Sequence, residues 1–314
     1  LKNAAGAKIK KMLNLKVKPG MKETEQEKQS KNITTKSAKA SFVPMLPDDH
    51  GAYAMLLVPL VIGLVAGALR GISLAVLPGL AFLLLTLALL AAFFAHAPLE
   101  VIAKPNVNAA AKQRAKNWLA IYLVVLALCG ITLLIVWQRW GLLWLALPAA
   151  IPLGVDLISR KWRKQRSLGV RLTGIGGLVL SAPAAYYLAT GELDGLSLAL
   201  WSVNFVYFGS SLFFVRIWFE AKRLEKTAKP GQSLIPGWLL QITLLYHLVG
   251  VLMVAGIVGL NLLPWAVFLA FAPLAAKLIM ALRHPPTYIS IKKIGLFEFA
   301  QSFVFALLLI ASLL

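Results

Sequence analysis

Nine long apolar runs constrain this chain more than any other feature. A bilayer core takes about 20 mostly apolar residues in a helix. Inside lipid every backbone N–H and C=O must be satisfied within the protein, so a spanning segment of this length is a helix. Runs of this kind cover residues 52–69, 72–95, 117–137, 142–158, 168–189, 196–219, 236–257, 262–282 and 294–314. The sequence therefore predicts an all-α fold, a polytopic membrane helix bundle of about nine transmembrane helices. Charged residues make up 14% of the chain, well below the roughly 25% of soluble domains, which agrees. Pro59, Pro78, Pro148, Pro152, Pro183 and Pro273 fall inside the runs; neighbouring helices can satisfy the carbonyls that such kinks release. The run at 142–158 is short and carries two prolines and Asp156.

The net charge of +20 is explained by its placement. Residues 1–46 hold eleven lysines against three glutamates, a net +8. Most of the remaining excess alternates between connections. Lys104, Lys112, Arg114 and Lys116 follow the second run; Arg160, Lys161, Arg163, Lys164 and Arg166 follow the fourth. Lys222, Arg223, Lys226 and Lys229 follow the sixth, and Arg283, Lys292 and Lys293 follow the eighth. The intervening connections hold only Arg70 and Arg139. Basic residues favour the cytoplasmic side, so the expected topology has the N-terminus in the cytoplasm, the C-terminus outside, and the cell membrane as its location. This distribution is not a nucleic-acid signature, and no nucleic-acid partner is expected.

Two domains are expected: a basic cytoplasmic tail at 1–46 and a helical membrane domain at 47–314. The tail has few apolar residues after Val17, so ordering it would cost more than burial returns, and anionic lipid would attract it. It lacks the long apolar stretch and cleavage site of a signal peptide. Met21, after Pro19-Gly20, is a candidate start. N-terminal mass spectrometry of native protein checks this, and a peptide spanning Pro19 to Glu23 would overturn it.

The junction Pro47-Asp48-Asp49-His50-Gly51-Ala52-Tyr53-Ala54-Met55 is the most polar helix mouth in the chain. Asp48 and Asp49 suit a helix N-terminus, His50 titrates near neutrality, and Tyr53 suits the headgroup level. One reading is a capped helix start; the other is a polar site including His50 and Tyr53. Six charges fall inside or at the very ends of the runs: Asp156, Arg171, Arg216, Glu220, Lys277 and Glu298. Intramembrane charges are costly and paired or functional. The predicted topology puts all six in the cytoplasmic third, three of each sign, so pairing among them can be complete. Long basic side chains near helix ends also snorkel.

Three stretches are candidate rims of a cytoplasmic-side cavity. His96-Ala97-Pro98-Leu99-Glu100 follows the second run, with Pro98 expected to end the helix. Arg216, Glu220 and Arg223 fall on one helical face. Arg283-His284-Pro285-Pro286-Thr287-Tyr288 is a short turn that holds His284 at the surface. His247, mid-run, is expected to make an interhelical hydrogen bond.

The single Cys129 excludes an intrachain disulfide and a CxxC site, and the four histidines show no metal-ligand spacing. No P-loop, GxGxxG or nucleophilic serine motif is present. No metal site is expected, no cofactor is indicated, and catalytic residues are unassigned.

His50-Gly51-Ala52-Tyr53-Ala54-Met55, Phe214-Val215-Arg216 and Ile291-Lys292-Lys293-Ile294-Gly295-Leu296-x-Glu298 resemble the YwiC-like family of bacterial integral membrane proteins. The resemblance spans roughly residues 45–314, with Tyr53 in place of a tryptophan. It implies architecture rather than an activity. In topology the chain is also distantly similar to UbiA-type intramembrane prenyltransferases. Their aspartate-rich motifs hold Mg²⁺ on an isoprenyl diphosphate. Here Phe93 to Glu100 contains no Asp, and Glu220 and Glu225 lie among Lys222, Arg223 and Lys226.

The expected function is binding of a lipid or isoprenoid phosphate in a cytoplasmic-side polar cavity, alongside membrane lipids, with UbiA-like transferase activity as its extension. Arg216, Arg223 and Lys222 would hold the phosphate, Glu220 would position them, and His50 or His96 would act as acid or base. A small-molecule transporter and a membrane assembly or scaffold protein are the alternatives.

Overall fold

The computed structural model describes residues 43–47, 50–70, 79–161, 167–227, 233–283, 285, 287 and 289–314. Among them every regular element is a helix. In chain order these are α1 His50–Leu69, α2 Gly79–Ala103, α3 Ala109–Ile135, α4 Leu142–Lys161, α5 Leu168–Leu178, α6 Ser181–Thr190, α7 Gly195–Leu224, α8 Gly237–Gly259, α9 Val267–Arg283 and α10 Ile291–Leu313. Each predicted run has its helix. The run at 168–189 is broken in two after Leu178. Pro183 has no N–H to give the carbonyl four residues back, and its ring crowds that carbonyl, so the first helix stops at Val179 and a second begins at Ser181.

Among the described residues, seven segments are long and apolar enough to cross a membrane: α1, α2, α3, α5 with α6, α7, α8 and α10. The chain is a multi-pass integral membrane protein. The other two helices are shorter. The apolar part of α4 is Leu142–Asp156, and α9 has 17 residues. Large apolar side chains point outward, among them Leu128, Ile131, Leu245, Leu252 and Leu307. That outward face suits lipid and is foreign to water.

Local chemistry sets the helix ends. Asn108 and Asp194 cap α3 and α7, accepting from the backbone N–H of Ala111 at 2.7 Å and Ser197 at 3.0 Å. α6 ends at Gly191, whose φ of +80° suits a residue without Cβ. The predicted stop at Pro98 does not occur: α2 continues to Ala103 with Pro98 buried inside it. Only one intrahelical bond is lost there, and Glu100 pairs with Lys104 one turn on at 3.3 Å.

The centre of the bundle is α7. Most of its 30 residues are buried, because α1, α5, α6, α8 and α9 all pack on it. Val203, Tyr207, Phe208 and Leu212 join Ile62 and Ala66 of α1, Leu274 of α9 and Phe305 of α10 in the main core. Tyr207 stacks on Phe305 with ring centroids 3.8 Å apart. α2 and α3 form an antiparallel hairpin on the outside of α1 and α6. Residues 43–46, the only described part of the predicted tail, run beside α3: Arg114 donates to the Val43 carbonyl at 2.6 Å and Tyr122 to that of Met45 at 3.1 Å.

The Gly63-x-x-x-Gly67 pattern seats α1 against α6. A Cβ on Gly63 would collide with the Ala182 backbone, and one on Gly67 would lie 2.6 Å from the Ala189 Cβ. Gly63→Ala is expected to lower unfolding stability by about 1–3 kcal/mol. Gly256→Ala, where nothing lies within 4 Å, is expected to be neutral or slightly stabilising. Thermal unfolding of detergent-solubilised protein compares the two.

Candidate functional site

Where α5 begins and α7 ends, the two helices leave a cleft of about 510 Å³. α5 contributes Leu168 and Arg171; α7 contributes Leu212, Val215, Arg216, Phe219, Glu220 and Arg223. The spacing on α7 brings its charged residues together. Glu220 is buried, and its two carboxylate oxygens are divided: Oε1 meets Arg216 at 2.8 Å and Oε2 meets Arg223 at 2.8 Å. The lining thus holds three guanidiniums against one carboxylate. Arg216 Nε is buried without an acceptor among the described residues. The Arg223 side chain is 73% exposed, so its outer face is open to a ligand. α5 begins at this cleft. Ser167 caps it by accepting from the Val170 N–H, and its first N–H groups have no intrahelical acceptor. The other walls are apolar, and Phe219 is half exposed toward lipid. Chemically, the cleft is an anion site with a greasy wall.

Lys222, expected among the phosphate ligands, is not in this lining. Its ammonium lies 4.9 Å from the Trp218 ring centroid, on another face of α7. Glu225, the C-cap of α7, accepts at 2.7 Å from Thr287 of the loop before α10. Arg171 takes the third basic place. The pattern was readable in the sequence, because in an antiparallel bundle the start of one helix meets the end of its neighbour.

On the opposite face of α7 lies a second polar group. Lys277 of α9 is buried and donates to both carboxylate oxygens of Glu298 of α10, at 2.7 and 2.9 Å. Its ammonium also lies 4.7 Å from the Phe214 ring. Ser210 and His247 Nε2 share a short hydrogen bond across α7 and α8, as expected of His247, whose Nδ1 faces the Thr243 carbonyl at 2.7 Å. Tyr246 donates to the Phe205 carbonyl at 2.9 Å across the gap left by Gly209. Asn204 Oδ1, Tyr207 Oη and Gln301 Oε1 are buried without partners among the described residues.

The six intramembrane charges do not pair wholly among themselves. Asp156 meets His96 at 3.2 Å, joining the end of α4 to that of α2, so a histidine outside the six is among its partners. Arg216 pairs with Glu220, and Lys277 with Glu298. His96 therefore stands on a different pair of helices from the cleft. Tyr53 packs against Phe93 and Phe94 at 5.1 and 6.0 Å and continues an aromatic row to Tyr122 and Trp118. His50 opens α1, but its side chain lies outside the described residues, as do Asp48, Asp49 and His284. Of the predicted site residues, the structure brings together Arg216, Glu220 and Arg223. Among the described residues no three His, Cys, Asp or Glu side chains group as metal ligands.

Residues 46–186 match the family model described as YwiC-like protein. The match covers α1 to α6, so the likeness drawn from the sequence holds over that stretch. Phe214-Val215-Arg216 and the Ile291–Glu298 stretch lie beyond it. No curated protein and no solved structure matches the chain.

The Lys277–Glu298 pair makes a separable claim. Removing one partner leaves a buried charge alone, so Lys277→Met is expected to cost about 3–5 kcal/mol. Lys277→Met combined with Glu298→Leu is expected to recover most of that loss. Thermal denaturation of the solubilised variants checks both.

Proposed function

From the premise of a multi-pass membrane protein with YwiC-like character over α1 to α6, we propose that the chain binds a lipid or isoprenoid phosphate in the cleft between α5 and α7. The observation that carries this reading is the cleft lining: three guanidiniums around one divided carboxylate, beside Leu168, Leu212, Val215 and Phe219. Guanidinium forks match phosphate oxygens in pairs. The apolar wall suits the first methylenes of a lipid tail, with the rest in the bilayer. Arg171, Arg216 and Arg223 hold the head, and Glu220 keeps two of them oriented when the cleft is empty. His96 is engaged with Asp156, so the reading is one of binding, without an assigned acid or base. His50, Tyr53 and His284 remain candidates for the rim at the same membrane face.

In this reading residues 1–46 form a basic tail on anionic lipid and residues 47–314 the membrane domain. The N-terminus is cytoplasmic, the C-terminus is outside, and the cleft opens to the cytoplasmic side of the cell membrane. The charge alternation supports this: the basic connections follow α2, α4, α7 and α9. Transport is the second reading, favoured by the interior oxygens of Asn204, Tyr207 and Gln301, which have no partner among the described residues.

Native mass spectrometry with lipid extraction tests the binding. A phosphate-bearing lipid is expected on the wild type and absent from an Arg216→Ala/Arg223→Ala variant; the same lipids on both would overturn the reading. Topology is checked separately. A phosphatase reporter that functions only outside the cytoplasm is expected to be active when fused after Leu314 and silent when fused after Lys226.

A further inference from the structure

The charge balance of the cleft says more than that it takes a phosphate. Resting on the lipid-phosphate reading, we infer that the preferred head is a doubly charged phosphate monoester bound without a metal ion, rather than a phosphodiester or a magnesium diphosphate.

The first observation is net charge. Arg171, Arg216 and Arg223 share one lining with Glu220, which among the described residues leaves two positive charges for the ligand to neutralise. Guanidiniums keep their charge across all ordinary pH. A phosphodiester brings one negative charge; a monoester brings close to two above its second pKa of about 6. The start of α5 adds partial positive charge to the same wall.

The second is donor count. Glu220 uses one oxygen for Arg216 and the other for Arg223. Arg216 Nε is left without an acceptor, and Arg171 approaches from a different helix. A monoester exposes three terminal oxygens, enough to meet guanidiniums on two helices at once, whereas a diester has two non-bridging oxygens.

The third is the use already made of the carboxylate. Among the described residues Glu220 is the one acid in the lining, and each of its oxygens lies 2.8 Å from an arginine nitrogen. Magnesium is held by carboxylates together with phosphate oxygens, and a carboxylate clamped between two guanidiniums is a poor ligand for a further cation. The arginines supply the neutralising charge that a metal would otherwise bring.

The test is calorimetric titration of the detergent-purified full chain with dodecyl phosphate, dodecyl methyl phosphate and inorganic phosphate, each with EDTA and with added Mg²⁺. Dodecyl phosphate is expected to bind about 10- to 100-fold tighter than the methyl diester at neutral pH. EDTA is expected to change nothing. The advantage is expected to shrink as pH falls from about 7.5 to about 5, through the second ionisation of the ligand. The diester controls for titration of the protein, since any change in Glu220 would act on both ligands. Arg171→Ala is expected to remove most of the monoester preference while the Arg216–Glu220–Arg223 set persists.

Equal affinity for monoester and diester, or binding that requires Mg²⁺, would overturn this inference and leave the lipid-phosphate reading standing. Inorganic phosphate binding as tightly as dodecyl phosphate would identify the free anion as the ligand; the doubly charged, metal-free site would stand and the lipid reading would fail. Binding by none of the three would overturn both.

Discussion

The structure depends on burying most of one polar-bearing helix. α7 carries Ser197, Ser202, Asn204, Ser210, Ser211 and Glu220 among its buried residues. In hydrocarbon such groups would be costly, so this helix cannot face lipid. The apolar helices surround it, and Ser197, the Asn204 amide N–H, Ser210 and Glu220 meet partners from its neighbours or from its own turns. Once α7 is central, the remaining positions follow. α1 and α6 can cross closely because Gly63 and Gly67 remove side chains where they meet. α3 and α8, which present broad apolar faces, go to the outside. Hydrophobicity places segments in the membrane, but between helices it supplies little drive. Polar groups and small residues decide which helix lies where.

That division explains what was legible in the sequence. The apolar runs required nothing but length and composition, and every one became a helix. The Gly63 and Gly67 spacing in α1 is likewise a local pattern, of the kind that permits a close crossing. Arg216, Glu220 and Arg223 were readable as one face because helical period alone joins them. Other features depended on distant partners. Nothing local marks Asp156 as the partner of His96, since sixty residues separate them. Pro98 reads as a stop in isolation, but helix packing tolerates it and Glu100–Lys104 extends the turn. The placement of Lys222 depended on Trp218, an aromatic neighbour one turn back that captures its ammonium. Arg171 was visible as an intramembrane charge, but its place in the cleft required the antiparallel meeting of α5 with α7.

The two charged groups on opposite faces of the end of α7 differ in kind. Lys277 and Glu298 satisfy each other with two short bonds, deep between α9 and α10, with an aromatic ring beneath the ammonium. Such a pair has no charge left to offer and acts as a clamp between helices. The cleft group is unbalanced. One carboxylate cannot neutralise three guanidiniums, and an excess of two positive charges next to lipid is stable only while water or an anion reaches it. The exposed Arg223 side chain and the open lining provide that access.

This contrast bears on why the carboxylate is there at all. A cleft meant only to bind phosphate tightly would do better with no acid in it. With Glu220 absent, however, three guanidiniums at the end of the bundle would repel one another and snorkel apart toward water. Glu220 sets two of them at fixed distance on one helical face before any ligand arrives, which lowers the ordering cost that binding would otherwise carry. It also competes with the incoming anion for the same donors. The balance favours a ligand with more than one charge, because one charge merely exchanges for another of equal sign and size. On the monoester reading proposed above, a carboxylate in this place would act as a threshold: it would leave the common singly charged headgroups of the surrounding bilayer uncaptured and yield to a doubly charged one. In a membrane where phosphodiester lipids are in vast excess, such a threshold makes a selective phosphate site workable.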